Sequence, residues 1–126
     1  MPISQTEIDD TVEMFSMLGP IRVRKMMGGL AIYAHDVTFA MYDPEQGYFL
    51  KSDDQTHDDY IDAGMSKFEF ETKDGKTLTM NYFGMLEEFY DDTELREQWA
   101  RKALDVALRA AAKKKPKKKP KKKKPS

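Results

Sequence analysis

Apolar residues recur along this chain with two periods, and each period marks a kind of element. Ile8, Val12, Phe15 and Leu18 fall three or four positions apart, which predicts a helix over about residues 4–18. Ser4-Gln5-Thr6-Glu7 has the form of a capping box, in which the Ser hydroxyl and the Glu carboxylate satisfy orphan N–H groups at a helix start. Gly19 suits a left-handed helix end, and Pro20 blocks continuation. From Ile21 the period shortens to two. Ile21-Arg22-Val23-Arg24-Lys25-Met26 alternates apolar and basic side chains, so Arg22 and Arg24 share one face of a predicted strand. Gly28-Gly29 interrupts it, and Leu30 to Ala34, Val37 to Tyr42 and Tyr48 to Lys51 predict three further strands. Their connections, His35-Asp36 and Asp43-Pro44-Glu45-Gln46-Gly47, are too short for parallel pairing and predict an antiparallel meander.

A short helix follows, opened by a second box at Ser52-Asp53-Asp54-Gln55, anchored by Tyr60 and Ile61 and stopped at Gly64. Phe68-Glu69-Phe70-Glu71 and Leu78-Thr79-Met80-Asn81-Tyr82 then alternate on either side of Lys73-Asp74-Gly75-Lys76, a hairpin pattern. Leu95, Trp99, Ala103, Val106 and Ala110 return to helical spacing over about Asp92 to Ala112, with Asp91, Asp92 and Glu94 at the positive end of that helix. Pro116 is expected to end it. The class predicted is α+β: an antiparallel sheet, meander plus hairpin, packed with the N-terminal and C-terminal helices, in one domain of residues 1–112.

Charge adds a division that the apolar pattern does not show. Residues 1–112 hold 11 Lys+Arg against 22 Asp+Glu, a net of -11, and the ten lysines beyond them restore the total to -1. Residues 113–126 repeat Lys-Lys-Lys-Pro and carry no apolar side chain other than proline, so a disordered, extended Lys/Pro-rich tail is expected. Lys113, Lys114, Lys115, Lys117, Lys118, Lys119, Lys121, Lys122, Lys123 and Lys124 are candidate nucleic-acid contacts through phosphate neutralisation and counterion release. The tail has no Arg, Asn or Gln to read base edges and no aromatic to stack on bases, so this contact is expected to be non-specific. The alternatives are a solubility tail, one folded back on the acidic domain, or one directed to an acidic membrane or protein surface.

No apolar run approaches the roughly 18 residues of a membrane span, and Met1 to Asp10 is too polar for a signal peptide. The expected setting is therefore cytoplasmic, without membrane contact. The absence of cysteine excludes disulfides and thiolate chemistry, and neither a metal nor a cofactor is expected. His35 and His57 read as surface residues, although His57 lies in a carboxylate-rich run that could form a weak cation site. Glu87-Glu88 and Asp91-Asp92 read as helix-start charges rather than acid/base pairs. Arg22, Arg24, Lys25, Gly28 and Gly29 form a candidate anion contact, against the alternative of a β-bulge or close backbone approach. Met85, Leu86, Phe89 and Tyr90 form a candidate partner patch, against the alternative of core closure over the sheet. The nine methionines read mainly as core filling. No catalytic residues are identified.

The body resembles the N-terminal domain of the TfoX/Sxy proteins. The resemblance is carried by Arg24-Lys25-Met26-Met27-Gly28-Gly29-Leu30-Ala31-Ile32-Tyr33, by Val37-Thr38-Phe39-Ala40-Met41, and by Gly47-Tyr48-Phe49-Leu50-Lys51-Ser52-Asp53. Phe68-Glu69-Phe70, Met80-Asn81-Tyr82-Phe83 and Leu95…Trp99…Ala103-Leu104 continue it, over roughly residues 10–110. Met27 stands where the family usually has Phe, and His35-Asp36 where Asp-Gly is common. No counterpart of the helix-hairpin-helix-like domain of full-length competence regulators is expected among these residues. The resemblance implies a non-enzymatic bacterial regulator of competence or transcription, with a transcription-related protein partner such as the cyclic-AMP receptor protein. An interaction or dimerisation module with a charge-balancing tail, and a cofactor-free enzyme, are the alternative classes.

Overall fold

The structure is a computed structural model, described here for residues 3–26 and 28–122, with side chains through residue 113. Among the described residues four α-helices accompany six strands: α1 (Gln5–Met14), β1 (Ile21–Met26), β2 (Gly29–Ala34), β3 (Val37–Asp43), β4 (Gly47–Lys51), α2 (His57–Asp62), β5 (Lys67–Glu71), β6 (Thr77–Gly84), α3 (Glu87–Asp91) and α4 (Thr93–Lys122). The strands form one antiparallel sheet in the order β1-β2-β3-β4-β6-β5. The first four make the expected meander. The chain then leaves through α2 and returns with the hairpin reversed in position, so that β6 pairs with β4 and β5 becomes an edge.

Local signals account for most element ends. Ser4 caps α1 with the reciprocal bonds of a capping box: its hydroxyl accepts from the Glu7 N–H at 3.1 Å, and the Glu7 carboxylate accepts from the Ser4 N–H at 2.9 Å. The predicted helix over 4–18 is shorter than expected: α1 stops at Met14, and a 3-10 turn covers Ser16–Leu18. That tighter turn lets both Phe15 and Leu18 enter the core. The second box shifts by one position. Asp53, not Ser52, exchanges bonds with Thr56, each backbone N–H donating to the other's side chain at 3.0–3.1 Å. Ser52 is buried, its N–H held by the Asn81 carbonyl at 2.8 Å.

His35 and Asp36 form a two-residue turn with φ of 53° and 64°, left-handed values that a non-glycine residue adopts at some strain. Gly29 is required for a different reason: a Cβ there would collide with the Tyr42 carbonyl oxygen of the adjacent strand. The close-approach reading of Gly28-Gly29 thus accounts for Gly29, while Met27 beside them lies outside the described residues.

The core lies between one sheet face and the helices. Phe15, Ile32, Phe39, Leu50, Tyr60, Phe83 and Phe89 are almost wholly buried there. Phe15 meets Phe39 edge-on at 5.2 Å, and Phe83 meets Tyr60 edge-on at 5.1 Å. α4 crosses β3 and β4 with Ala100, Ala103 and Ala107 buried; these small side chains let its backbone approach the sheet closely. Arg96 clamps three segments together, donating to the carbonyls of Met14 (2.9 Å), Phe89 (2.9 Å) and Tyr90 (3.1 Å), which belong to the C-terminal ends of α1 and α3. Arg109 fixes the middle of the helix through two bonds to Asp53, the shorter 2.8 Å.

α4 continues to Lys122, beyond the end expected at Pro116. Alanine and lysine are strong helix formers, whereas a proline removes one bond, to the carbonyl four residues earlier. The expectation of a disordered tail concerns residues 113–126, of which residues 123–126 and the side chains from 114 onward lie outside the described residues. Among the described residues no helix is long and apolar enough to cross a membrane.

Candidate functional site

Among the described residues two concave surfaces stand out beside a cavity of about 380 Å³ lined by Arg22, Tyr33, His35 and Asp36. The larger is a cleft of about 660 Å³ between α1 and the β3–β4 turn, lined by Glu7, Asp10, Glu13, Tyr42, Tyr48 and Tyr90, among others. Its hydroxyls are engaged. Tyr42 donates to Glu7 at 2.8 Å, and Tyr90 accepts from the Tyr48 N–H at 3.3 Å. Thr11 gives its one proton to the Glu7 carbonyl at 2.8 Å, so Tyr48 is the donor in the 2.8 Å Thr11–Tyr48 bond.

The Ser4 backbone N–H, and then the Tyr42 hydroxyl, hold Glu7 below its usual carboxylate range. Burial, and then Glu7, push Tyr42 up to about 12. Tyr42 is therefore a proton-bearing donor at neutral pH rather than a base, and Glu7 is ionised. Arg96, at the back of the cleft, is occupied by the three carbonyls. This arrangement suits positioning and cation attraction more than proton transfer.

The second surface is the sheet face turned away from the helices. Strand alternation and register place Arg22, Arg24 and Met26 of β1, Ala31 and Tyr33 of β2, Met41 of β3, Phe49 and Lys51 of β4, Met80 and Tyr82 of β6, and Phe68 and Phe70 of β5 on it. Met41, Phe49 and Tyr82 are buried as a second apolar cluster, with Phe68 and Met80 packed against it. Met26 near one edge of the sheet and Phe68 on the opposite edge strand line one small cavity of about 60 Å³, so the sheet curls and this face is concave. The Arg22 guanidinium lies 4.7 Å over the Tyr33 ring. A hydrogen bond from Thr38 lowers the Tyr33 pKa against a smaller effect of burial, and Arg24 adds to the lowering.

The residues singled out by the sequence distribute as follows. Arg22 and Arg24 come together on the concave face, whereas Lys25, one position on, points to the opposite side of β1. Gly28 has φ of 80°, and Gly29 abuts Tyr42. Of Met85, Leu86, Phe89 and Tyr90, Phe89 is buried, Met85 and Leu86 pack against the core, and only Tyr90 is exposed. The four therefore do not form one exposed patch. The hydrophobic signal there belongs to core closure, because α3 turns its apolar side inward. Lys113 is exposed; the other tail lysines lie outside the described side chains.

His57 opens α2 with its ring against Phe83 at 5.4 Å. Among the described residues no group of three or more His, Asp or Glu side chains is placed to hold a metal ion. Asp92 accepts from the Leu95 N–H at 3.0 Å and so caps α4, while Glu87 and Glu88 sit in the first turn of α3. The concave aromatic face was not recognised from sequence as a site. Its signal was the alternation Phe68-x-Phe70 and Leu78-x-Met80-x-Tyr82, which shows that these residues share a face but not that the face lacks a helix.

No curated protein matches the sequence at a significant level. The sequence model of the TfoX N-terminal domain family matches residues 13–107, which run from α1 to the buried part of α4 and so span every strand described above. The chain therefore belongs to the TfoX N-terminal domain family.

Proposed function

We propose that this protein is a non-enzymatic regulator that holds nucleic acid without sequence specificity through Lys113 to Lys124. Its acidic domain engages a transcription-related protein partner, in the cytoplasm and in the manner of a competence regulator. The observation that carries this reading is the segregation of charge along one helix. The four basic residues of α4 within the domain bind its own groups: Arg96 and Arg101 reach backbone carbonyls, Lys102 meets Asp59 at 3.0 Å, and Arg109 meets Asp53. The ten lysines that follow carry no acidic neighbour in the sequence. Along α4 the basic residues that tie the helix to the domain are thus distinct from the lysines that follow, which are left for phosphates. Membership of a family not known for enzymatic activity supports the non-enzymatic part.

The test is binding of the full chain to random-sequence duplex DNA over a range of salt, beside a variant with all ten tail lysines changed to Gln. Engagement of about six to ten phosphates predicts a log–log salt slope near -5 to -9 that collapses in the variant. No binding even at low salt, or equal binding by the variant, would remove nucleic acid from the function. A pull-down with the full chain that recovers no transcription component would remove the partner.

A further inference from the structure

We propose that the concave sheet face binds single-stranded nucleic acid, with bases stacking on Tyr33, Phe68 and Phe70 and phosphates meeting Arg22 and Arg24. This deepens the nucleic-acid reading above by assigning it a second site and a preferred strandedness.

Charge selects the face. The strand regions, residues 21–51 and 67–84, hold seven Lys+Arg against six Asp+Glu, while the remainder of residues 1–112 holds four against sixteen. A polyanion is repelled by the helical side and meets its least hostile surface on the sheet. On the concave face itself Arg22, Arg24 and Lys51 stand against Asp43 in the strand rows. The Asp36 carboxylate reaches Arg22 only at 3.6 Å with both groups well exposed, a pair that a phosphate can displace.

Ring geometry supplies the other half. Phe68 and Phe70 lie near-parallel, 5.8 Å apart with 27° between planes, and both are only partly buried. Phe49, which is buried, meets Phe68 edge-on at 4.8 Å and holds it in place. Tyr33 already carries a planar cation, Arg22, over its ring, the arrangement in which a base can join or replace the guanidinium. A duplex hides its base faces inside the stack and offers this surface only phosphates; unpaired bases offer faces to all three rings. RNA and single-stranded DNA share this chemistry.

The experiment compares full-chain affinity for an oligo-dT of about 12 nucleotides, an oligo-rU of the same length and a matched duplex, by fluorescence anisotropy. Binding of dT or rU roughly tenfold tighter than duplex is expected, and the stronger of the two identifies the natural polymer. Y33L and the double variant F68L/F70L keep apolar bulk but remove rings. Each should bring single-strand affinity down toward the duplex value with the duplex affinity and its salt slope unchanged. R24Q, at an exposed position, should weaken single strands severalfold without depending on core packing.

The tail-lysine variant should weaken every ligand yet keep the single-strand to duplex ratio. Duplex binding that the tail-lysine variant leaves unchanged, with single strands still preferred, would sink the tail reading and leave this one standing. A ratio of one in the unaltered protein, or a ratio that Y33L, F68L/F70L and R24Q leave unchanged, overturns the proposal. So does a ratio of one accompanied by shifts of the Tyr33 and Phe70 amide resonances on adding a Glu/Leu-rich peptide, which would assign the face to an acidic protein segment.

Discussion

The two faces of this sheet are built from similar side chains and end in different states. On the helix-covered face Phe15, Phe39, Tyr60 and Phe83 are wholly buried and interlocked edge to edge. On the concave face Met41, Phe49 and Tyr82 are buried only by the curl of the sheet and by neighbouring rings, and Phe68, Phe70 and Met80 remain partly open. Aromatic content does not separate core from surface here; the helix layer does. Charge follows the same division, since the helices carry most of the carboxylates and the strands are close to balanced. A face that keeps large apolar side chains partly in water, beside arginines, is better suited to a ligand than to stability.

The comparison is tested most strongly by equal truncations on its two sides. Phe39→Ala should destabilise the protein by about 3–5 kcal/mol, because it opens a cavity in a close-packed core. Phe70→Ala should lose less than about 1.5 kcal/mol, since its ring is partly solvated already. Urea denaturation of both variants checks this, and equal losses would show that the concave face is core. Arg96→Met comes next, at about 2–3 kcal/mol, because it strips donors from three carbonyls at once while keeping bulk.

A smaller effect lies in pH. Burial raises the Asp53 pKa, but bonds from Arg109 and Thr56 outweigh it and leave the carboxyl below its usual range. A depressed folded pKa contributes stability above the unfolded value near 4 that is lost as pH falls through the folded one. Asp53→Asn should thus flatten the stability profile below about pH 4 and leave a modest constant loss at neutral pH, seen in thermal melts across pH. The smallest change expected is a gain. Asp36→Gly relieves a non-glycine residue at φ of 64° and should stabilise by about 0.5–1 kcal/mol, its exposed partner Arg22 contributing little.

Much of the local structure was legible because its determinants sit within a few residues of one another. The Ser4–Glu7 box, the hairpin around Asp74-Gly75 and the alternation that pairs Arg22 with Arg24 all follow from neighbours in sequence. Two readings were settled only by packing. Asp53, rather than Ser52, exchanges bonds with Thr56, the residue that precedes α2, while the Ser52 N–H is held by Asn81 across the sheet. Met85, Leu86 and Phe89 left a patch and core closure both open, because an apolar run in a connection does not reveal which way a five-residue helix will turn; core closure is the outcome.

The sequence by itself determined most element types but not α3, most caps and turns, the acidic body with its basic tail, and the antiparallel meander. Tertiary structure alone decided that β6 lies beside β4, that one sheet face stays without helices among the described residues, and that Arg96 reaches Met14 from 82 positions away. The reason is physical. Capping bonds and periodicities act over one or two turns of chain, where few partners compete. Strand order and face coverage are chosen among many apolar surfaces of similar burial energy, and the choice is made only when distant segments pack together.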